Sequence, residues 1–163
     1  MKVLAYIDSR PRDWRHIASN WFIRRAQKDY SEPLKKATHV EHLLAGDRYS
    51  ATIASSSLAD GGVRIKTHVD LNPNHWIVID APSLDVEKSK AWFMEHQGLA
   101  YDFWGAPGSV FWWLADNENK YFCNESCGAS VGQLDPHTMP PAGYCNWVLS
   151  LPGSRVVTEE FFA

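Results

Sequence analysis

The sequence predicts an α+β chain, a small antiparallel sheet packed against a helix that carries a cysteine, and three observations lead there. Residues 63–69 alternate apolar and polar as a half-exposed strand does, and residues 75–80 run almost continuously apolar. Two extended segments flank Ala45-Gly46-Asp47-Arg48, whose glycine and aspartate mark a turn and so a hairpin. Residues 120–132 open a helix with Cys123 at its mouth and the small residues Gly128, Ala129, Ser130 and Gly132 behind it, a pattern that lets other elements pack close.

With 163 residues, 45% hydrophobic and 13% aromatic, the chain can bury one substantial core, so one domain over 1–163 is expected. A net charge of −3 and a pI near 6.1 give no long-range attraction to nucleic acid or anionic lipid. No apolar run reaches the roughly 18 residues of a membrane span, and the opening Met1-Lys2-Val3-Leu4-Ala5-Tyr6-Ile7-Asp8 meets charge too early for a signal peptide. Synthesis in the cytoplasm without a signal peptide is the expectation. The three cysteines, Cys123, Cys127 and Cys145, are odd in number and clustered late, which argues for reduced thiols.

In chain order, residues 2–7 form a strand candidate that Ser9-Arg10-Pro11 ends. Pro11 suits a first helical turn, and Trp14, Ile17, Ala18, Trp21, Phe22 and Ile23 recur at helical spacing, with Arg24, Arg25 and Lys28 complementing the dipole at the far end. Tyr30-Ser31-Glu32-Pro33 breaks that pattern, and the hairpin follows over residues 36–54. With a four-residue loop, Leu44 faces Tyr49, Glu41 lies opposite Thr52, and His39 lies opposite Ala54. Alternation then sets His39, Glu41 and Leu43 on one face with Ser50, Thr52 and Ala54. Residues 55–62 read as a loop by their serines and glycines. After the strands at 63–69 and 75–80, Ser83 caps a helix through His96 whose apolar side is Val86, Ala91, Trp92 or Phe93, and Met94, and Gly98 ends it. Residues 101–108 are a loop or short helix and 110–114 a bulky apolar segment. Beyond Gln133 the chain is turn-rich, through Asp135-Pro136 and Pro140-Pro141, and residues 147–163 carry no clear assignment.

Cysteine in a first helical turn is chemically special, because unpaired N–H groups and the positive end of the helix dipole favour the thiolate and can also hold an oxyanion. A packed, inert core thiol is the commoner fate of such a residue. His39, far upstream on a strand, supplies the base with which Cys123 could form a nucleophile pair. A zinc site from Cys123, Cys127, His137 and Cys145 competes, although Cys123 and Cys127 stand one helical turn apart rather than in a CxxC turn. His42 points away from His39 as a structural or surface histidine, and His68, His75 and His96 default to the surface. Asp102, beside Tyr101, reads as a loop cap or as a group orienting His39 or a substrate amine.

Thr38-His39-Val40-Glu41, the Gly46-Asp47 turn, Asp60-Gly61-Gly62-Val63-Arg64, Gly98 with Tyr101-Asp102, and Tyr121-Phe122-Cys123-Asn124-Glu125 occur in an order that resembles the circularly permuted NlpC/papain-like cysteine hydrolases (YiiX-like) of phages and bacteria. The resemblance covers roughly residues 15–135 at the level of topology. It implies a papain-like fold of the permuted NlpC type, with Cys123 as nucleophile and His39 as base. It also implies a polar residue on the next strand that orients the imidazole. On the expected register that residue is Thr52, with Ser50 further along and Glu41 as fallback on the same face. Threonine and serine depart from the His, Asn, Asp or Glu usual at that position. Asn124, Tyr101, Asp102, Glu41 and Ser50 are the oxyanion or substrate-positioning candidates. The implied reaction is acyl transfer to water without metal or cofactor. Peptidoglycan stem-peptide amides lead as substrate, with lipid esters and other amides behind. A non-catalytic module among phage structural proteins, such as a virion-associated tail component, is the alternative.

Overall fold

The computed structural model describes residues 1–7, 17, 21, 23–25, 27–101, 120–136 and 139–163. Most of the expected first helix, the apolar segment at 110–114, Asp102 and His137 lie outside these residues; positions 17, 21 and 23–25 are helical. The strands are β1 (Lys2–Tyr6), β2 (His39–Ala45), β3 (Ala51–Ser57), β4 (Gly62–Val69), β5 (Trp76–Asp80), β6 (Ala100–Tyr101), β7 (Lys120–Tyr121) and β8 (Arg155–Val156). The α-helices with both ends among the described residues are α1 (Val86–His96), α2 (Cys123–Val131), α3 (Pro141–Ser150) and α4 (Thr158–Phe162), with short 3-10 turns at Leu34–Lys36 and Leu58–Asp60, making the chain α+β.

One sheet runs in the order β7-β6-β4-β3-β2-β1-β5-β8. Its pairings are antiparallel except β6 with β7, which is parallel. It is larger than the small sheet expected, because two-residue strands extend both ends. In β1, Val3, Leu4 and Ala5 are all fully buried: Val3 and Ala5 join Phe93, Phe122, Cys127, Tyr144 and Val148 of the helices, while Leu4 joins Leu43, Ile53, Val78, Val157 and Phe162. A strand covered on both faces must be apolar at every position, which is why residues 2–7 and 75–80 read as continuous runs.

The hairpin register differs from the expected one. His42 pairs with Ala54 and Ala45 with Thr52, with an irregularity between Leu43 and Ala45. Asp47 is the cause: its carboxylate accepts from the N–H groups of Tyr49 and Ser50, and Gly46, at φ +85°, lets Ser50 fold back against it. The loop is therefore wider than four residues. Thr52 consequently lies at the turn end of the hairpin and His39 at the opposite end, so these two are not neighbours.

Residues 55–57, expected as loop, are strand. Two of their hydroxyls are satisfied inside: Ser55 Oγ donates to the Val40 carbonyl at 2.7 Å and Ser56 Oγ to that of Tyr121 at 2.5 Å. Small polar side chains let α2 approach the sheet there, and Ser126 Oγ accepts from the Ser56 N–H at 2.9 Å. The cap of α1 is Asp85, not Ser83, and its carboxylate accepts from Glu87 and Lys88 N–H. The buried face of α1 is Ser89 and Phe93, whereas Met94 is 64% exposed. Pro141, expected in a turn, starts the buried helix α3. The fully buried Gln27 ties that helix down, accepting from Ala142 N–H while donating to the carbonyls of Lys35 and Ala37.

Candidate functional site

The mouth of α2 is held from three sides. Glu125 Oε2 accepts the Phe122 N–H at 2.6 Å, closing the first turn back on itself. Phe122 stacks edge-on against Tyr101, which pairs with Tyr121 across β6 and β7. Ser126 accepts from β3 and donates to the Cys123 carbonyl. Cys123 thus occupies the first position of a helix whose origin is fixed to the sheet, and it is 1% exposed.

His39 begins β2, and the side chain of Cys123 stands close enough to act on the charge of its ring. Its Nε2 lies 3.1 Å from Glu41 Oε1, two residues along the same strand, while the Cys123 thiol donates to Asn124 Oδ1 at 3.9 Å. The side chain is 20% exposed, so the pair has a solvent-facing edge. Burial works against charge on the ring, but the Cys123 sulfur and the Glu41 carboxylate outweigh it and raise the His39 pKa to about 9.

Behind the histidine stands an ion-pair chain. Arg64 on β4 donates to both oxygens of Glu41, Nη1 to Oε2 at 2.9 Å and Nη2 to Oε1 at 2.6 Å. Its Nε donates to Asp60 at 2.9 Å, and Lys66 meets the same aspartate at 2.7 Å. Glu41 is buried, which alone would raise its pKa; Arg64 and His39 instead hold it down at about 2. The carboxylate stays charged.

Of the residues singled out in sequence, Cys123, His39 and Glu41 come together, and Tyr101 lies beside them through Phe122. Thr52 does not, for the reason of register given above. Ser50 does not either: it sits in the turn and bonds His68 Nδ1 at 3.1 Å. Asn124 is buried, with its amide Nδ2 donating to the carbonyls of Pro136 at 3.2 Å and Met139 at 2.5 Å. Its side chain fastens the following loop to α2, so its donors are spent. Sequence reasoning passed over Arg64 as a strand residue. The signal available was a cation on a strand two pairings from Glu41.

Of the other thiols, burial raises Cys127 well above the ordinary range and Cys145 to about 12. All three cysteines are free. Among the described residues no group of three or more His, Cys, Asp or Glu side chains is placed to hold a metal ion. No helix among them is long and apolar enough to cross a membrane. His42 is structural: fully buried, it bonds Ser89 Oγ at 2.8 Å and Tyr144 OH at 2.7 Å. His68 is exposed, His75 half-buried, and His96 stacks on Trp92 with centroids 4.0 Å apart.

Comparison with protein-family models, curated proteins and solved structures finds no match to this chain.

Proposed function

We propose that the chain is a cysteine hydrolase of the permuted papain-like type, cleaving an amide through a thioester. The observation that carries the reading is the contact series Cys123–His39–Glu41, with the cysteine at the origin of a helix. Glu41 takes the orienting role first assigned to Thr52.

In this mechanism the Cys123 thiolate attacks the carbonyl carbon, forming the C–S bond, and the oxygen's new charge rests against the backbone N–H of Cys123 at the start of α2. His39, charged in the resting pair, gives its proton to the leaving amine as the C–N bond breaks. Water then attacks the thioester with His39 as base, the C–S bond breaks, and the sulfur regains its place beside the imidazolium. Glu41 keeps the ring oriented and balances its charge throughout. The resemblance noted in the sequence directs the reading to amides of peptidoglycan stem peptides.

The near-complete burial of Cys123 is the observation that favours a second reading, a structural or binding module that keeps the pair without turnover. Incubating wild type and Cys123→Ala with muropeptides, isopeptides and acyl esters decides between them. Cleavage by wild type alone supports the hydrolase. Cleavage by the alanine variant refutes the mechanism, and no cleavage by either supports the module.

A further inference from the structure

We propose that Arg64 is a positioning residue of this site: braced by Asp60, it fixes both oxygens of Glu41 and thereby sets the oxygen against which His39 turns. The proposal rests on the reading of Cys123 and His39 as a reactive pair.

Glu41 Oε1 is shared, accepting from Arg64 Nη2 at 2.6 Å and lying 3.1 Å from His39 Nε2. The histidine therefore aligns on an atom whose place is set from β4. A single hydrogen bond would leave the carboxylate free to rotate; a two-pronged guanidinium contact fixes its plane. Arg64 is itself held, because its Nε bonds Asp60 Oδ2 at 2.9 Å and its side chain is 12% exposed. From solvent inward the charges alternate: Lys66, Asp60, Arg64, Glu41, His39, then the sulfur of Cys123. On α2 the buried Glu125 carboxylate is turned back onto the Phe122 N–H, and Cys127 is the neighbouring thiol. A buried ion pair contributes little net stability, so a chain of them ending on a cysteine–histidine pair calls for another role.

The test reads Cys123 rather than turnover. Iodoacetamide labelling of Cys123, followed by mass spectrometry, is timed at about pH 7 and about pH 10 in wild type, Arg64→Met, Glu41→Gln and the double variant. Without Arg64 the buried Glu41 takes up a proton and behaves as glutamine does. His39 then loses its charge balance, and labelling at neutral pH slows by roughly tenfold. At pH 10, above the value of about 9 to which the His39 pKa is raised, the wild type has lost its imidazolium too, and the variants label at the wild-type rate. The double variant is no slower than either single one, because both act on one contact. Wild-type labelling at neutral pH in Arg64→Met, a loss equal at both pH values, or multiplying losses in the double variant would each overturn the proposal.

If Arg64→Met does not fold, Arg64→Lys and Asp60→Asn decide. Each is expected to lower the neutral-pH rate by a smaller factor, and an unchanged rate in both overturns the proposal. A wild type that labels as described but cleaves none of the amides tested would count against the hydrolase reading and leave the positioning role standing.

Discussion

Lowering the pH is expected to unfold this protein through His42. The ring is fully buried, and burial, with a smaller contribution from the chain's N-terminal ammonium, depresses its pKa from 6.5 to about 3, Glu41 offsetting only part. Below pH 6.5 the unfolded chain binds a proton that the folded chain refuses. Stability from this residue is therefore complete above 6.5 and is lost progressively as pH falls toward 3. Between pH 6.5 and 5 the loss is about 2 kcal/mol, from 1.5 pH units at about 1.4 kcal/mol each. Urea unfolding at pH 7 and pH 5 measures it in wild type and in His42→Gln, which is less stable but has no proton to refuse. The wild type should lose about 2 kcal/mol more than the variant over that interval. Parallel losses would refute the reasoning. His39 acts in the opposite window: its raised pKa makes its contribution complete below 6.5 and lost as pH climbs through about 9. Two histidines three positions apart thus oppose each other, and stability should peak near the ordinary histidine value.

Cys123 should react with iodoacetamide far faster than Cys127 and Cys145 at neutral pH, and His39→Ala should remove the difference; equal labelling of all three in the folded protein would contradict the site. Thr52→Val, at the turn end of the hairpin, should change neither labelling nor, beyond about 0.5 kcal/mol, stability, as measured by urea titration. Asn124→Ala strands the carbonyls of Pro136 and Met139 and should cost roughly 1–3 kcal/mol, read in the same titration. Gly62→Ala should lower the melting temperature by well over 5 °C, equivalent to about 2 kcal/mol or more, because a Cβ there would meet the Leu99 carbonyl oxygen at 1.9 Å and the residue sits at φ +156°.

The helix mouth at Cys123 and the shared strand face of His39 and Glu41 were legible because their signals are local, whereas the approach of β2 to α2 was not. A cysteine after an aromatic pair and before small residues marks a helix mouth, and a two-residue interval on a strand sets two side chains together. The hairpin register was not legible, since it depends on Asp47 wrapping the turn and on a mismatch between Leu43 and Ala45 that alternation cannot foresee. Serines 55–57 read as loop because composition does not reveal that the hydroxyls of Ser55 and Ser56 find buried carbonyls. Pro140-Pro141 read as a break although proline suits a first helical turn, and the apolar spacing of Tyr144, Cys145 and Val148 was there to be used. Arg64 was invisible as a site residue without knowing which strands become neighbours.

The place of β1 in the sheet bears on how the molecule comes into being. β2, β3 and β4 form a meander that can close as soon as it leaves the ribosome, whereas β1, made first, lies between β2 and β5 and must wait for both. Until β5 is synthesised, the first strand has only one edge to join. Without residues 2–6 the sheet would fall into two pieces, β5-β8 on one side and the remaining five strands on the other, each with an open apolar edge ready to pair with a stranger. β1 is therefore the seam of the sheet, joining strands that follow it at two different points of the chain.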